Sequence, residues 1–260
     1  MSRTRGFFQS CAAGLAGLAL LLSPTARASS SILIWPIDPL LRHDQRATAL
    51  WLENHGEQPS LLQLRVFAWR QADGEEHYHA QREVIGSPPM IRIAPGERQL
   101  VRLTQLKPVA AATEQAYRIL IDEIPTPSAP AAEPGNAATV QFQMRYSVPL
   151  FVQGEGLSPR PDASRQGDTA DASDAQLSWR PLSVNGRHYL EVRNQGTRHA
   201  RLTRVSLEHQ GATLEVASGL LGYVLAGSQM RWPLAEAVGT DARLRAESNG
   251  EPGEIPRWRP

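Results

Sequence analysis

The sequence predicts an all-β protein of two β-sandwich domains joined by a linker, and three observations carry that reading. Glycine and proline number 20 each and punctuate the chain at short intervals, while no long segment repeats apolar residues at helical spacing. Between these breakers lie short runs in which apolar and polar residues alternate, as on a strand with one buried face. From Gln153 to Gln176 the composition shifts to Gly, Ser, Asp and Pro, which leaves almost nothing to bury and separates two groups of strands.

Met1 to Ala28 carries Arg3 and Arg5, an apolar core from Cys11 to Leu22, then Pro24 and the small-residue site Ala26-Arg27-Ala28. This is the pattern of a secretory signal peptide cleaved near Ala28. The apolar run is shorter than the roughly 20 residues a membrane span needs. Cys11 stands at the start of that core, whereas a lipid-anchored cysteine would follow it. Removal of the segment takes away the single cysteine and leaves 24 of the 27 basic residues against 26 acidic ones, a net charge of about −2. An exported chain without cysteine must rely on its apolar cores. The near-neutral balance gives no basic face for nucleic acid.

Taken in order, Ile32 to Ile37 reads as a strand interrupted by Pro36, with Pro39 close behind, the mark of an edge strand or one that switches sheets. Arg46 to Asn54 is a second strand, ended by Asn54-His55-Gly56, and Leu61 to Arg70 a third, turned back by Asp73-Gly74. Met90 to Ile93, Arg98 to Thr104 and Tyr117 to Ile124 follow, and Pro125 to Ala138 forms a long Pro-rich loop. With Thr139 to Val152 this makes seven strands, as in an immunoglobulin-like sandwich. The second group comprises Leu177 to Leu182, His188 to Asn194, Ala200 to Glu208, Thr213 to Ala217, Tyr223 to Leu225, Met230 to Trp232 and Arg243 to Glu247, and the tail from Gly250 is expected to be loose.

Thr139 to Val152 stands out. Val140, Phe142, Met144, Tyr146 and Val148 form one apolar stripe, while Gln141, Gln143, Arg145 and Ser147 occupy the other face. Pro149 inside the run marks an edge strand, since proline has no N–H to give a ladder. An edge with an oily face invites another chain to pair with it.

Catalytic motifs are not evident. None of the 7 histidines lies in a helix-borne metal motif or a Gly-x-Ser-x-Gly turn. His77 and His79 could present two imidazoles on one strand face, but beside Asp73, Glu75 and Glu76 they suit a solvated hairpin tip. Asp168, Asp171 and Asp174 lack the glycine and closing glutamate of a calcium loop. An exported adhesin or receptor module is the alternative class, since sandwiches host many functions.

The run Ser87-Pro88-Pro89, Met90-Ile91-Arg92-Ile93, Pro95-Gly96, Gln99, Val101-Arg102-Leu103 resembles the signature of the periplasmic pilus-assembly chaperones, the PapD-like proteins. Tyr117-Arg118 through Asp122-Glu123-Ile124-Pro125 and Leu50-Trp51-Leu52-Glu53-Asn54 extend the likeness. Ile34 to Pro39, Arg145 to Pro149, Leu190 to Asn194, Gly222 to Ser228 and Arg231-Trp232-Pro233 are similar to the branch serving archaic, Csu-type and spore-coat pili. Together with the composition, the resemblance implies a signal peptide at 1–28, an immunoglobulin-like chaperone domain at 29–153, a linker at 154–176 and a second such domain at 177–260. It implies a non-enzymatic periplasmic chaperone without cofactor or metal. Its partners would be pilus subunits and an outer-membrane usher, and self-association of the free chaperone is left open.

In such proteins the chaperone lends a strand to a subunit whose own sandwich lacks one, with backbone bonds giving affinity and alternate side chains filling pockets. Here the resemblance puts Val140, Phe142 and Met144 in that role, flanked by Ala138 and Tyr146. The better-known branch holds the subunit's terminal carboxylate with an Arg on the first strand and a Lys on the donor strand. This chain departs from both: its only lysine is Lys107, Asp38 or Pro39 stands about where the Arg would be, and Ser147 about where the Lys would be. Arg145, able to grip a carboxylate with two parallel bonds, is the first candidate anchor, with Ser147, Arg42 and Arg46 as the others.

Overall fold

A computed structural model describes residues 31–125, 143–157, 175–239 and 241–258. The signal segment, the loop leading to the stripe and most of the linker lie outside the described residues. The architecture is all-β, two sandwiches in sequence, as expected.

In the first sandwich one sheet runs β1 (Ile32–Trp35), β3 (Ala47–Asn54), β8 (Arg98–Gln105), β6 (Val84–Ser87) in spatial order. The facing sheet runs β2 (Leu40–Leu41), β10 (Arg145–Gln153), β9 (Glu114–Ile124), β4 (Ser60–Ala72), β5 (Glu75–His79), with β7 (Met90–Ile93) paired to the start of β4. Alternation fixes which side chains meet. Leu50 and Leu52, Leu62 and Leu64, Ile119 and Ile121, and Val148, Leu150 and Val152 fill one core. Each such side chain contributes roughly 1.5–3 kcal/mol by leaving water.

Pro36 and Pro39 do what their spacing suggested. β1 pairs with β3 in one sheet, and β2, which begins five residues after β1 ends, pairs in parallel with the end of β10 in the other. The Asp73-Gly74 hairpin is also as expected, with both residues at positive φ and Ala72 opposite Glu75. The sequence reading missed β2, β5 and β6. β2 is two residues long, and every residue of β5 is exposed, so no alternation betrays it.

The second sandwich sets β11 (Leu177–Val184), β12 (Arg187–Asn194) and β15 (Gln229–Leu234) against β14 (Ala212–Val224), β13 (Ala200–His209), β16 (Arg243–Ser248) and β17 (Glu251–Ile255). Both domains end a core strand on the same device. Asn54 is fully buried, gives its amide to Gln58 O and Ile93 O at 2.8 and 3.0 Å, and accepts Gly56 N–H at 2.8 Å. Asn194, equally buried, donates to Arg198 O and Val224 O and accepts Gly196 N–H. An asparagine can satisfy several stranded backbone groups at a turn, which is why it is tolerated inside.

The tail corrects an expectation: it is not loose. β17 pairs with β16 despite Pro252 and Gly253, an edge strand being where proline is admitted. Beyond it Trp179 N–H donates to Pro256 O at 3.0 Å and Trp258 N–H to Trp179 O at 2.6 Å, so the tail covers the outer edge of β11. The Trp258 ring lies beneath the guanidiniums of Arg180 and Arg193, 4.2 and 5.1 Å from its centroid, an attraction local pattern does not reveal.

Candidate functional site

β10 pairs with β9 along its whole length, from Arg145 opposite Asp122 to Gln153 opposite Glu114. On its other side β2 covers only Phe151 and Val152. Among the described residues, Arg145 to Leu150 therefore form an open edge, the arrangement Pro149 implied.

The structure divides the apolar stripe. Val148 is buried in its own core at 6% exposure, and Tyr146 packs against that core while its hydroxyl accepts Ile32 N–H at 3.4 Å. Met144, just ahead of β10, is 45% exposed. Ala138, Val140 and Phe142 lie outside the described residues. The exposed apolar side chains Leu33, Trp35 and Ile37 belong to β1 and its continuation, on the edge of the facing sheet.

The anchor candidates are all exposed. Arg145 donates from Nε to Asp122 Oδ1, and Arg65 Nη2 lies 2.6 Å from Asp122 Oδ2. Burial would raise the Asp122 carboxyl, but the hydrogen bonds and charges of Arg145 and Arg65 hold it below its ordinary value. Ser147 stands one rung further along β10, and Arg42 and Arg46 lie in the turn between β2 and β3. His77 and His79 stack on one face of β5 with ring centroids 6.4 Å apart, and among the described residues no third ligand joins them.

The outward face of the β10, β9, β4 sheet leads from this edge to the second domain. Cross-strand register sets Arg145 beside Asp122 and Gln63, Ser147 beside Leu120 and Arg65, and Pro149 beside Arg118 and Phe67. Arg118 was missed as a site residue, since its exposure depends on what the second domain covers. Only 7% exposed, it lies 3.6 Å from the Trp69 centroid, and its Nη2 is 3.4 Å from Glu76 Oε1. Its buried Nε has no hydrogen-bond partner, a cost a bound acceptor would remove.

Beyond that row the domains lock together. Phe151, Trp69, Tyr223 and Leu225 form one buried cluster, with Phe151 stacked on His199 at 3.4 Å between centroids. Gln71 donates to Tyr223 O at 2.9 Å and accepts Leu225 N–H at 2.8 Å. At the hairpin tip Arg231 N–H donates to Gly74 O, and the Arg231 side chain lies where a Cβ on Gly74 would sit, 2.6 Å from Cγ and Cδ.

Glu114 Oε1 accepts both His199 N–H at 2.8 Å and a contact from His199 Nδ1 at 2.7 Å. Burial alone would raise the Glu114 carboxyl, but hydrogen bonding and charge from His199, with Gln153, bring it below its ordinary value. A carboxyl lowered in the folded state stabilises fully above the unfolded pKa of about 4.3 and loses that contribution as pH falls through its folded value. Acid titration should accordingly loosen the junction below about pH 4. Glu114→Gln should cost about 1.5–3 kcal/mol at pH 7 and flatten the acid limb of the stability curve, measured by urea unfolding between pH 3 and 8.

A two-domain β-sandwich with one half-open edge beside a domain junction defines a class, and the comparisons with known proteins identify it. Residues 40–158 match the family described as pili and flagellar-assembly chaperone, PapD N-terminal domain. A solved chain from the CsuC-CsuE chaperone-tip adhesion subunit pre-assembly complex, from archaic chaperone-usher Csu pili of Acinetobacter baumannii, is 31% identical. The match covers 88% of this chain and all of that one, with a TM-score of 0.71.

The Pseudomonas aeruginosa CupB2 chaperone is 20% identical over 85% of this chain and 96% of its own, with a TM-score of 0.55. A chain from the Salmonella enterica SafA pilin–SafB chaperone complex is 17% identical over 88% and 95%, with a TM-score of 0.56. These two share the fold. A search of curated protein sequences returned no match. The chain belongs to the pilus-assembly chaperone family, and its likeness to the archaic Csu branch is shown by the 31% identical chain.

Proposed function

We propose that this chain is exported to the periplasm with cleavage near Ala28, captures pilus subunits by donor-strand complementation and passes them to an outer-membrane usher. The half-open edge of β10 is the observation that supports it most directly. Among the described residues, Arg145 to Leu150 leave outward backbone groups without a strand partner, and Met144, on the same apolar stripe, is 45% exposed. A subunit lacking one strand would pair with that edge and take Val140, Phe142 and Met144 into its groove, with Ala138 and Tyr146 at the margins. Three such side chains would supply several kcal/mol at roughly 1.5–3 kcal/mol each, against the cost of association. Co-expression with a small secreted subunit encoded nearby should yield a soluble one-to-one complex. A subunit that is recovered alone, or only as aggregate, would count against capture.

Arg145 suits the rim of the site. Were it to turn to a subunit's terminal carboxylate, Arg65 would remain on Asp122, so the half-buried carboxylate would keep a partner. Because its side chain is 64% exposed, solvent limits the gain. Arg145→Ala should weaken capture about tenfold and leave the fold intact. Unchanged capture in the same co-purification would remove Arg145 and move attention to Arg118, Ser147, Arg42 and Arg46. Arg118, with its unpartnered Nε on the sheet face below, is the anchor at the floor in this reading.

A further inference from the structure

We propose that Pro149 is the stop that sets how far a captured strand can run along β10, an inference that rests on the strand-capture reading above. The backbone geometry carries it. In an antiparallel pair the N–H and C=O of one residue both turn toward the partner strand, and those of the next both turn away. Met144 O accepts Glu123 N–H at 3.0 Å and Gly154 N–H donates to Thr113 O at 2.9 Å, so the even-numbered residues of this stretch turn to β9. The odd-numbered residues therefore turn to the other side. Phe151 does so, giving its N–H to Pro39 O at 3.2 Å.

It follows that Gln143, Arg145 and Ser147 each offer one donor and one acceptor to an incoming strand. Pro149 offers a carbonyl only. The missing donor falls at the last outward-facing residue before Phe151, whose own donor is already taken by the chain entering β2. A strand sliding further would leave its own carbonyl unpaired at Pro149 and then meet Pro39, so the ladder ends there whether the newcomer runs parallel or antiparallel. The stop falls in the row of Arg118, since Pro149 is the register partner of Arg118 on β9. One residue thus limits the depth of entry at the level where the Nε of a buried, otherwise paired arginine has no hydrogen-bond partner.

The test is amide hydrogen exchange by NMR on the free chaperone and on its co-expressed subunit complex, for wild type and Pro149→Ala. In wild type, capture should slow exchange at Gln143, Arg145 and Ser147 by about tenfold or more and leave Phe151 unchanged. In Pro149→Ala the new amide at position 149 should also become protected, and the subunit's terminal residues should shift along the edge or give two sets of signals. If the amide at 149 exchanges equally fast in free and bound variant, with one unshifted register, proline is not the stop and the inference fails. If Arg145 and Ser147 gain no protection in wild type, it is strand capture itself that fails.

Discussion

Replacing Phe151 with alanine is expected to lower the free energy of unfolding by about 3–5 kcal/mol and to split a single urea transition into two. Phe151 is 1% exposed, stacks on His199, and stands 6.0 and 5.9 Å from the Trp69 and Tyr223 rings. The side chain sits between Trp69, Leu40 and Ala116 of the first domain and His199, Tyr223 and Leu225 of the second, so truncation opens a cavity at the junction rather than within either core. Aromatic contacts of this kind add to the burial term. The strand that offers an open edge at Arg145 to Leu150 is thus the same one that fastens the second domain at the next residue, Phe151. Loss of that fastening should blunt subunit capture even where each sandwich still folds. Phe151→Leu, which keeps most of the apolar volume, should cost less. A loss below about 1 kcal/mol on truncation would show that the junction contributes little to stability.

The sandwich fold was legible because it depends on local alternation and on breakers. Leu50 and Leu52 face inward with Trp51 between them turned out, as the pattern in Ala47 to Asn54 required. Pro36, Pro39 and Pro149 announced edges and a change of sheet because a missing N–H is a property of the residue itself. The illegible parts depend on distant partners. Arg118 looks like any polar position on an alternating strand until Trp69 and Glu76 on β4 and β5, and Tyr223 of the second domain, come to lie against it. The ordered tail needed Trp179, Arg180 and Arg193, more than 60 residues upstream of Trp258 by roughly the span of one domain, to provide an edge and two cations. Of the apolar stripe, the inward side of Tyr146 and Val148 was legible from alternation. The change from buried Val148 to exposed Met144 was not, because alternation gives the face of a residue and says nothing of where the facing sheet stops.

That division yields the sharpest contrast between two positions only one rung apart. The double variant Phe142→Asp and Met144→Asp should reduce subunit capture more than a hundredfold while leaving the thermal midpoint of the free chaperone within about 2 °C. Each replacement would remove an apolar side chain worth roughly 1.5–3 kcal/mol in a subunit groove and force a carboxylate to be desolvated or neutralised there. Met144, 45% exposed, makes little of the chaperone's own core, so the free protein should tolerate the change. Tyr146→Asp should behave differently, because the Tyr146 ring packs against the first core and its hydroxyl receives Ile32 N–H. That variant should lose both stability and capture. Were the double variant to bind subunits as wild type does, the stripe would have no part in capture. Were it to unfold like Tyr146→Asp, the stripe would belong to the chaperone's own interior, and the half-open edge of β10 would have to recruit subunits through backbone pairing alone.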